Sequence, residues 1–155
     1  MRLYLMQHGQ ARSKDTDPER SLTEQGIEET SVIAHHLFVT GKPSLSRVYH
    51  SGKTRSRQTA DLVAERWHAE SLVEEADDMS PMDDPSTWRG KLRTQDSDIM
   101  LVGHLPHLAR LAALLLTGDP DRPVVQFAHS GIVCLERRGR EGWSLLWAIT
   151  PELVS

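Results

Sequence analysis

Short apolar segments alternate along this chain with longer segments of helical periodicity, and this alternation restricts the possible folds more than any other feature. Residues 3–6 and 98–103 are mainly apolar runs that end at a turn or at a histidine, so both predict buried strands. Arg47–His50 predicts a third strand. Helical patterns cover 23–39, Thr54–Trp67 and 106–116. Strands that alternate with helices predict a layered α/β fold.

The remaining segments complete this pattern within a single domain, 1–155, which is the size expected of one domain. Residues 132–136 and 143–149 predict two strands that a charged, Gly-containing turn joins into a hairpin. A short strand is predicted over 72–74. Residues 77–85 are acidic and contain two prolines, so they predict a surface loop.

Composition excludes several classes of protein. The formal net charge is −4, whereas a protein that coats a nucleic-acid duplex is usually basic. The single cysteine, Cys134, cannot form an intramolecular disulfide, and we expect an inert thiol in the core. The longest uncharged apolar run, 111–116, is far too short to cross a bilayer. We therefore expect a cytoplasmic protein that binds neither nucleic acid nor a membrane.

Polar side chains with phosphate-binding chemistry follow three of the predicted strands. His8 and Gly9 come after the first strand, Ser51 and Arg55 after the second, and His104 after the strand at 98–103. In open α/β sheets, residues just past the carboxyl ends of strands line the ligand crevice. Imidazoles, a guanidinium and the free N–H groups of helix N-termini all suit a phosphate group. The sequence therefore predicts a phosphate site there.

Four short motifs, in this order along most of the chain, resemble those of the histidine phosphatase superfamily, which is also called phosphoglycerate mutase-like. They are Gln7-His8-Gly9, Leu22-Thr23-Glu24-Gln25-Gly26, Ser51 with Arg55, Thr59 and Ala60, and Leu101-Val102-Gly103-His104. Each motif is unspecific by itself, but the ordered set is specific. The short length and the sequence Gly103-His104-Leu105-Pro106 resemble the small bacterial phosphohistidine phosphatases most.

The resemblance implies a role for each matching residue. His8 would be the nucleophile that forms a covalent phosphohistidine, since a neutral imidazole attacks phosphorus well. Arg55 would hold phosphoryl oxygens, and His104 would donate to the charge that develops on them. The implied substrate-binding residues are Gln7, Gly9, Ser51 and Leu105. This chemistry requires no metal and no cofactor.

Gln7 departs from the family pattern, which has arginine at this position. Glutamine keeps a hydrogen-bond donor but lacks the charge and the bidentate geometry. Losing a charge-assisted contact costs roughly 1–3 kcal/mol of phosphate binding. That corresponds to about one or two decades in rate if the transition state is affected. We consider Lys14 or Arg12 as a replacement cation, and a catalytically weak phosphate- or phosphoprotein-binding module as an alternative function.

The substrate class depends on whether a carboxylic acid reaches the leaving group. Phosphoesters need such an acid, whereas imidazole leaves readily from a phosphoramidate once it is protonated. The candidate acids are Asp83 and Asp84, with Glu74, Glu75, Asp77 and Asp78 nearby. We therefore expect a metal-independent phosphatase that acts on phosphohistidine in a protein, with a small-molecule phosphomonoesterase as the alternative. The expected fold is a three-layer α/β/α sandwich with a mostly parallel central sheet and a C-terminal hairpin.

Other residues allow alternative interpretations. His107, with His104 and His8, would supply three zinc ligands, but no Asp or Glu lies within this motif, so no metal is expected. His50 and His129 are expected at the surface near the crevice. Trp88, beside several prolines, is a candidate for the rim of the substrate site.

Overall fold

A six-stranded mixed sheet forms the centre of the computed structural model, which describes residues 1–41, 43–140 and 142–154. The strands are β1 (Arg2–Gln7), β2 (Arg47–His50), β3 (Val73–Glu75), β4 (Ile99–Gly103), β5 (Ile132–Arg138) and β6 (Gly142–Ile149). Their order across the sheet is β3-β2-β4-β1-β5-β6. The first four strands in this order are parallel to one another, whereas β5 is antiparallel to both β1 and β6. The predicted C-terminal hairpin is thus confirmed.

Helices cover both faces of this sheet. They are α1 (Glu24–Thr40), α2 (Thr54–Trp67), α3 (Pro85–Leu92) and α4 (His107–Thr117). Alternate residues of β1 point to opposite faces, so Tyr4 and Met6 pack with α1 and α2, while Leu3 and Leu5 pack with α3 and α4. This arrangement confirms the three-layer α/β/α sandwich. Among the described helices, none is long and apolar enough to span a bilayer.

The parallel strands β1, β2 and β4 end at one edge of the sheet. In the register of the sheet, Gln7 at the end of β1 lies opposite Gly103 at the end of β4. His50 at the end of β2 lies opposite Val102. The residues that directly follow these three ends are therefore brought together, as the sequence predicted.

The sequence did not predict α3. Pro85 begins this helix, and the Asp84 carboxylate caps it by accepting a hydrogen bond from the Ser86 N–H at 2.9 Å. The helix has only eight residues and contains Gly90, so its apolar periodicity is too short to stand out. Trp88 on α3 is buried in the core, so its assignment to a substrate rim is wrong.

Candidate active site

His8 and His104 face each other at the edge where the parallel strands end. The centroids of the two imidazole rings are 5.0 Å apart. The Arg55 Nε donates to His8 Nε2 at 3.3 Å, and the Ser51 Oγ lies 2.6 Å from His104 Nε2. The structure thus brings together four residues that the sequence placed after three separate strands.

The hydrogen bonds of His8 fix the position of its ring proton. Its Nδ1 lies 2.7 Å from the carbonyl oxygen of Gly9, so Nδ1 carries the proton and donates it. The lone pair therefore resides on Nε2, the atom that faces Arg55. The pKa of His8 is lowered to about 4, mainly by burial and in part by the positive charge of Arg55. At neutral pH, His8 thus presents an unprotonated nitrogen to the crevice.

His104 is also held neutral. His104 is 1% exposed, and burial is the main cause that lowers its pKa to about 3, while the proximity of His8 and of the Arg55 guanidinium also disfavours a proton on this ring. The His104 Nδ1 is buried and has no hydrogen-bond partner among the described residues. An anion in the crevice would offset the neighbouring positive charges and accept a hydrogen bond from an imidazole N–H.

The glycines of the motifs allow close approach between backbone segments. A Cβ on Gly9 would lie 2.9 Å from the Thr30 Oγ1 and 3.0 Å from the carbonyl oxygen of Gly26. A Cβ on Gly26 would lie 2.2 Å from the carbonyl oxygen of Gln10, which leaves no room for a side chain. The Gly9 N–H also donates to the Thr59 Oγ1 at 2.9 Å. These contacts fix the loop after β1, and with it His8, against α1 and α2.

Arg20 contributes a further positive charge that no sequence motif revealed. Its backbone has a φ of 52°, and its Nε donates to the carbonyl oxygen of Arg12 at 3.1 Å. The charge of Arg20 lowers the pKa of both His8 and Arg55. The side chains of Arg12 and Lys14, which the sequence suggested instead, are exposed. The sequence feature that could have indicated Arg20 as a site residue is its position directly before the Ser21-Leu22-Thr23 segment.

His129 also lies in the site, beside Gln7. The centroid of its ring is 5.3 Å from that of His8, and its Nδ1 lies 3.3 Å from Gln7 Nε2 and 3.1 Å from the His8 carbonyl oxygen. Because β5 is antiparallel to β1, the loop that enters β5 lies beside the end of β1. His129 is exposed as predicted, whereas the prediction of a surface position for His50 is wrong, since His50 is buried.

The other predicted site residues lie around this centre. Leu105 follows His104 directly and is 39% exposed. The Asp83 carboxylate accepts a hydrogen bond from the Ser80 N–H at 2.8 Å, and Asp84 caps α3. Both carboxylates act electrostatically on His107, which is fully buried. In the described part of the chain, no group of three or more His, Cys, Asp or Glu side chains is arranged to hold a metal ion.

Comparison with known proteins places this architecture in one structural class. No protein-family model and no curated protein sequence matches the chain. Solved structures do match it over nearly its whole length, and those described next are phosphatases or candidate phosphatases. The chain therefore has the histidine phosphatase fold, and the resemblance seen in the sequence is confirmed for the fold.

Within this class, the similarity extends to small phosphohistidine phosphatases. The protein histidine phosphatase SixA, solved with tungstate, has 24% sequence identity and a TM-score of 0.89, with 100% of both chains covered. A candidate phosphohistidine phosphatase SixA from Agrobacterium tumefaciens has 23% identity and a TM-score of 0.76, with 97% of each chain covered. A phosphoserine phosphatase variant from Entamoeba histolytica, in complex with phosphoserine, has 16% identity and a TM-score of 0.70, with coverage of 97% of this chain and 98% of that one.

Proposed function

We propose that this chain is a metal-independent phosphatase that forms a phosphohistidine intermediate on His8 and acts on phosphohistidine in a protein. The observation that supports this most directly is the state of His8. Its Nδ1 proton is held by the Gly9 carbonyl oxygen, and its Nε2 lone pair lies 3.3 Å from the Arg55 guanidinium. A nucleophile and a phosphoryl-binding cation are therefore already adjacent.

The reaction proceeds in two displacements. In the first, the substrate imidazole takes up a proton from solvent, the Nε2 lone pair of His8 forms a bond to phosphorus, and the bond to the substrate imidazole breaks, so that a neutral imidazole leaves. In the second, water attacks phosphorus, the bond to Nε2 breaks, and inorganic phosphate leaves. Arg55 and His104 hold the phosphoryl oxygens in both steps, because a loose transition state needs positioning and charge stabilisation more than covalent assistance.

A phosphoramidate substrate is favoured over a phosphoester because of the positions of the Asp83 and Asp84 carboxylates. One oxygen of the Asp83 carboxylate accepts from the Ser80 N–H, and one oxygen of the Asp84 carboxylate accepts from the Ser86 N–H, so backbone contacts orient both side chains. Both carboxylates act electrostatically on His107, the first residue of α4. A phosphohistidine substrate has less need of such an acid, since its imidazole leaves readily once protonated.

Turnover of two substrates tests this function. The purified chain is given a protein phosphorylated on histidine and, separately, p-nitrophenyl phosphate, and release of inorganic phosphate is followed. We expect a higher kcat/KM for the phosphohistidine protein. A preference for the ester would assign the site to a small-molecule phosphomonoesterase. No turnover of either substrate, together with retained binding of inorganic phosphate, would identify a phosphate-binding module.

Arg20 provides a second test, with a matched control in the same loop. Replacement Arg20→Ala is expected to lower kcat/KM about tenfold, because a charge-assisted contact contributes about 1.5–3 kcal/mol. Arg12→Ala removes an equal charge from an exposed side chain, and we expect less than about a twofold effect. Equal losses in the two variants would contradict a local role for Arg20 and indicate that only the net charge of the loop matters.

A further inference from the structure

Gln7 and His129 form a pair of side chains at the phosphoryl site that the proposed function does not yet use. Gln7 is 7% exposed, and its Oε1 is buried with no partner among the described residues. We propose that His129 is a catalytic residue of this chain, whose imidazolium supplies to the bound phosphoryl group the positive charge that arginine carries at position 7 in the family. This inference rests on the proposed function, because it assigns a contact to the same phosphoryl group.

The hydrogen bonds of the pair determine which ring nitrogen of His129 can take up a proton. The Nδ1 of His129 is 3.1 Å from the carbonyl oxygen of His8, which can only accept, so a proton on Nδ1 is donated there. A half-turn of the Gln7 amide exchanges Nε2 for Oε1 and so places an acceptor near this N–H. With Nδ1 held in this way, Nε2 is the nitrogen that gains or loses a proton.

The location of His129 suits contact with a bound phosphoryl group. Its ring lies 5.3 Å from the ring of His8 and its side chain is exposed, so it borders the opening of the crevice rather than the core. Gln7, in contrast, is buried at the end of β1 and carries no charge. In this pair, the buried neutral amide of Gln7 orients the exposed imidazole of His129, which can become charged.

The surrounding charges make this contact dependent on pH. The groups that act electrostatically on His8, which follows β1, and on His104, which follows β4, include Arg55 on α2, Lys53 before α2 and Arg20 before α1. All of them are cations or neutral imidazoles, so a doubly charged anion is the partner that favours a proton on His129. Imidazole is the side chain whose charge ordinarily changes between about pH 5 and pH 8. Anion binding should tighten as the pH falls when it depends on a charged His129.

Sulfate affinity, measured by calorimetry, tests the inference without any need for turnover. Sulfate remains a dianion across the range, so its own charge does not contribute to the pH dependence. We expect the protein to bind sulfate about tenfold more tightly at about pH 6 than at about pH 8. His129→Ala should lose about tenfold in affinity at the lower pH and little at the higher one. The control His35→Ala removes an exposed histidine on α1 and should behave as the wild type does.

The same His129→Ala replacement, made in a chain that also carries Gln7→Arg, tests whether His129 replaces the missing arginine. In the Gln7→Arg background, a permanent charge is present, so His129→Ala should cost less than about twofold at about pH 6. Wild-type affinity in His129→Ala, or an equal loss in both backgrounds, would overturn the inference. The proposed function is tested separately: a chain that forms no phosphohistidine but shows this sulfate pattern would overturn the function and the catalytic role of His129, and would leave only its contact with a bound anion.

Discussion

His8→Ala is expected to abolish transfer of a phosphoryl group to the protein and to lower kcat/KM by roughly 10³-fold or more. The expected loss is large because the variant lacks the only atom proposed to bond to phosphorus, and removal of a nucleophile costs more than removal of a group that stabilises charge. The fold should persist, because His8 belongs to the crevice and not to either apolar cluster of the core.

Radioactive phosphate on the protein measures this effect directly. A donor protein that carries labelled phosphohistidine is mixed briefly with the chain, the mixture is denatured in alkali, and the label is followed on a gel. Wild type and the control His35→Ala should both carry a label that is stable to alkali and lost in acid, as expected of phosphohistidine. His8→Ala should carry none. A label of undiminished intensity in His8→Ala would place the covalent step on a different residue and contradict the proposed function.

The central part of the site could be predicted because strand direction and burial are encoded locally. A run such as residues 99–102 is apolar at every position, so it must be covered on both faces, which is typical of a parallel strand. Parallel strands then align their carboxyl ends, so His8, Ser51 and His104 had to lie at one edge. The start of the helical pattern at Thr23 is encoded locally as well: Thr23 is the N-cap of α1, and its side chain accepts from the Gly26 N–H.

The remainder of the site depends on how loops approach, and no local pattern encodes that. Arg20 acts electrostatically on His8 and Arg55 from an irregular loop, in which Arg20 itself has a positive φ. His129 reaches it because β5 runs antiparallel to β1, which places the start of one strand beside the end of the other. The sequence predicted a C-terminal hairpin but did not reveal which edge of the parallel strands it joins. The sequence therefore indicated that His129 lies near the crevice but not which side chains it contacts, and it did not indicate a role for Arg20.

Acid should destabilise the fold well above the pH at which carboxylates titrate. The pKa of His8 is about 4 and that of His104 about 3 in the folded protein, compared with 6.5 when unfolded. Between those values, the unfolded chain binds more protons than the folded one, so the free energy of unfolding falls as the pH is lowered from about 6.5. A pKa that differs by one between the folded and unfolded states corresponds to about 1.4 kcal/mol, so His8 alone accounts for about 3 kcal/mol of the loss by about pH 4.

Urea unfolding at a series of pH values from about 7 to about 4.5 measures this loss before most carboxylates are protonated. The buffers must contain neither sulfate nor phosphate, because an anion that binds the folded state would stabilise it. His8→Asn and His104→Asn should each flatten the dependence, whereas His35→Ala should keep it. Burial also lowers the pKa of His50 and His107. A variant that carries both His8→Asn and His104→Asn should therefore keep a weaker dependence of the free energy of unfolding on pH. A wild-type stability that is constant over this range would show that the two histidines are not held neutral by burial, and the nucleophile assigned to His8 would lose its physical basis.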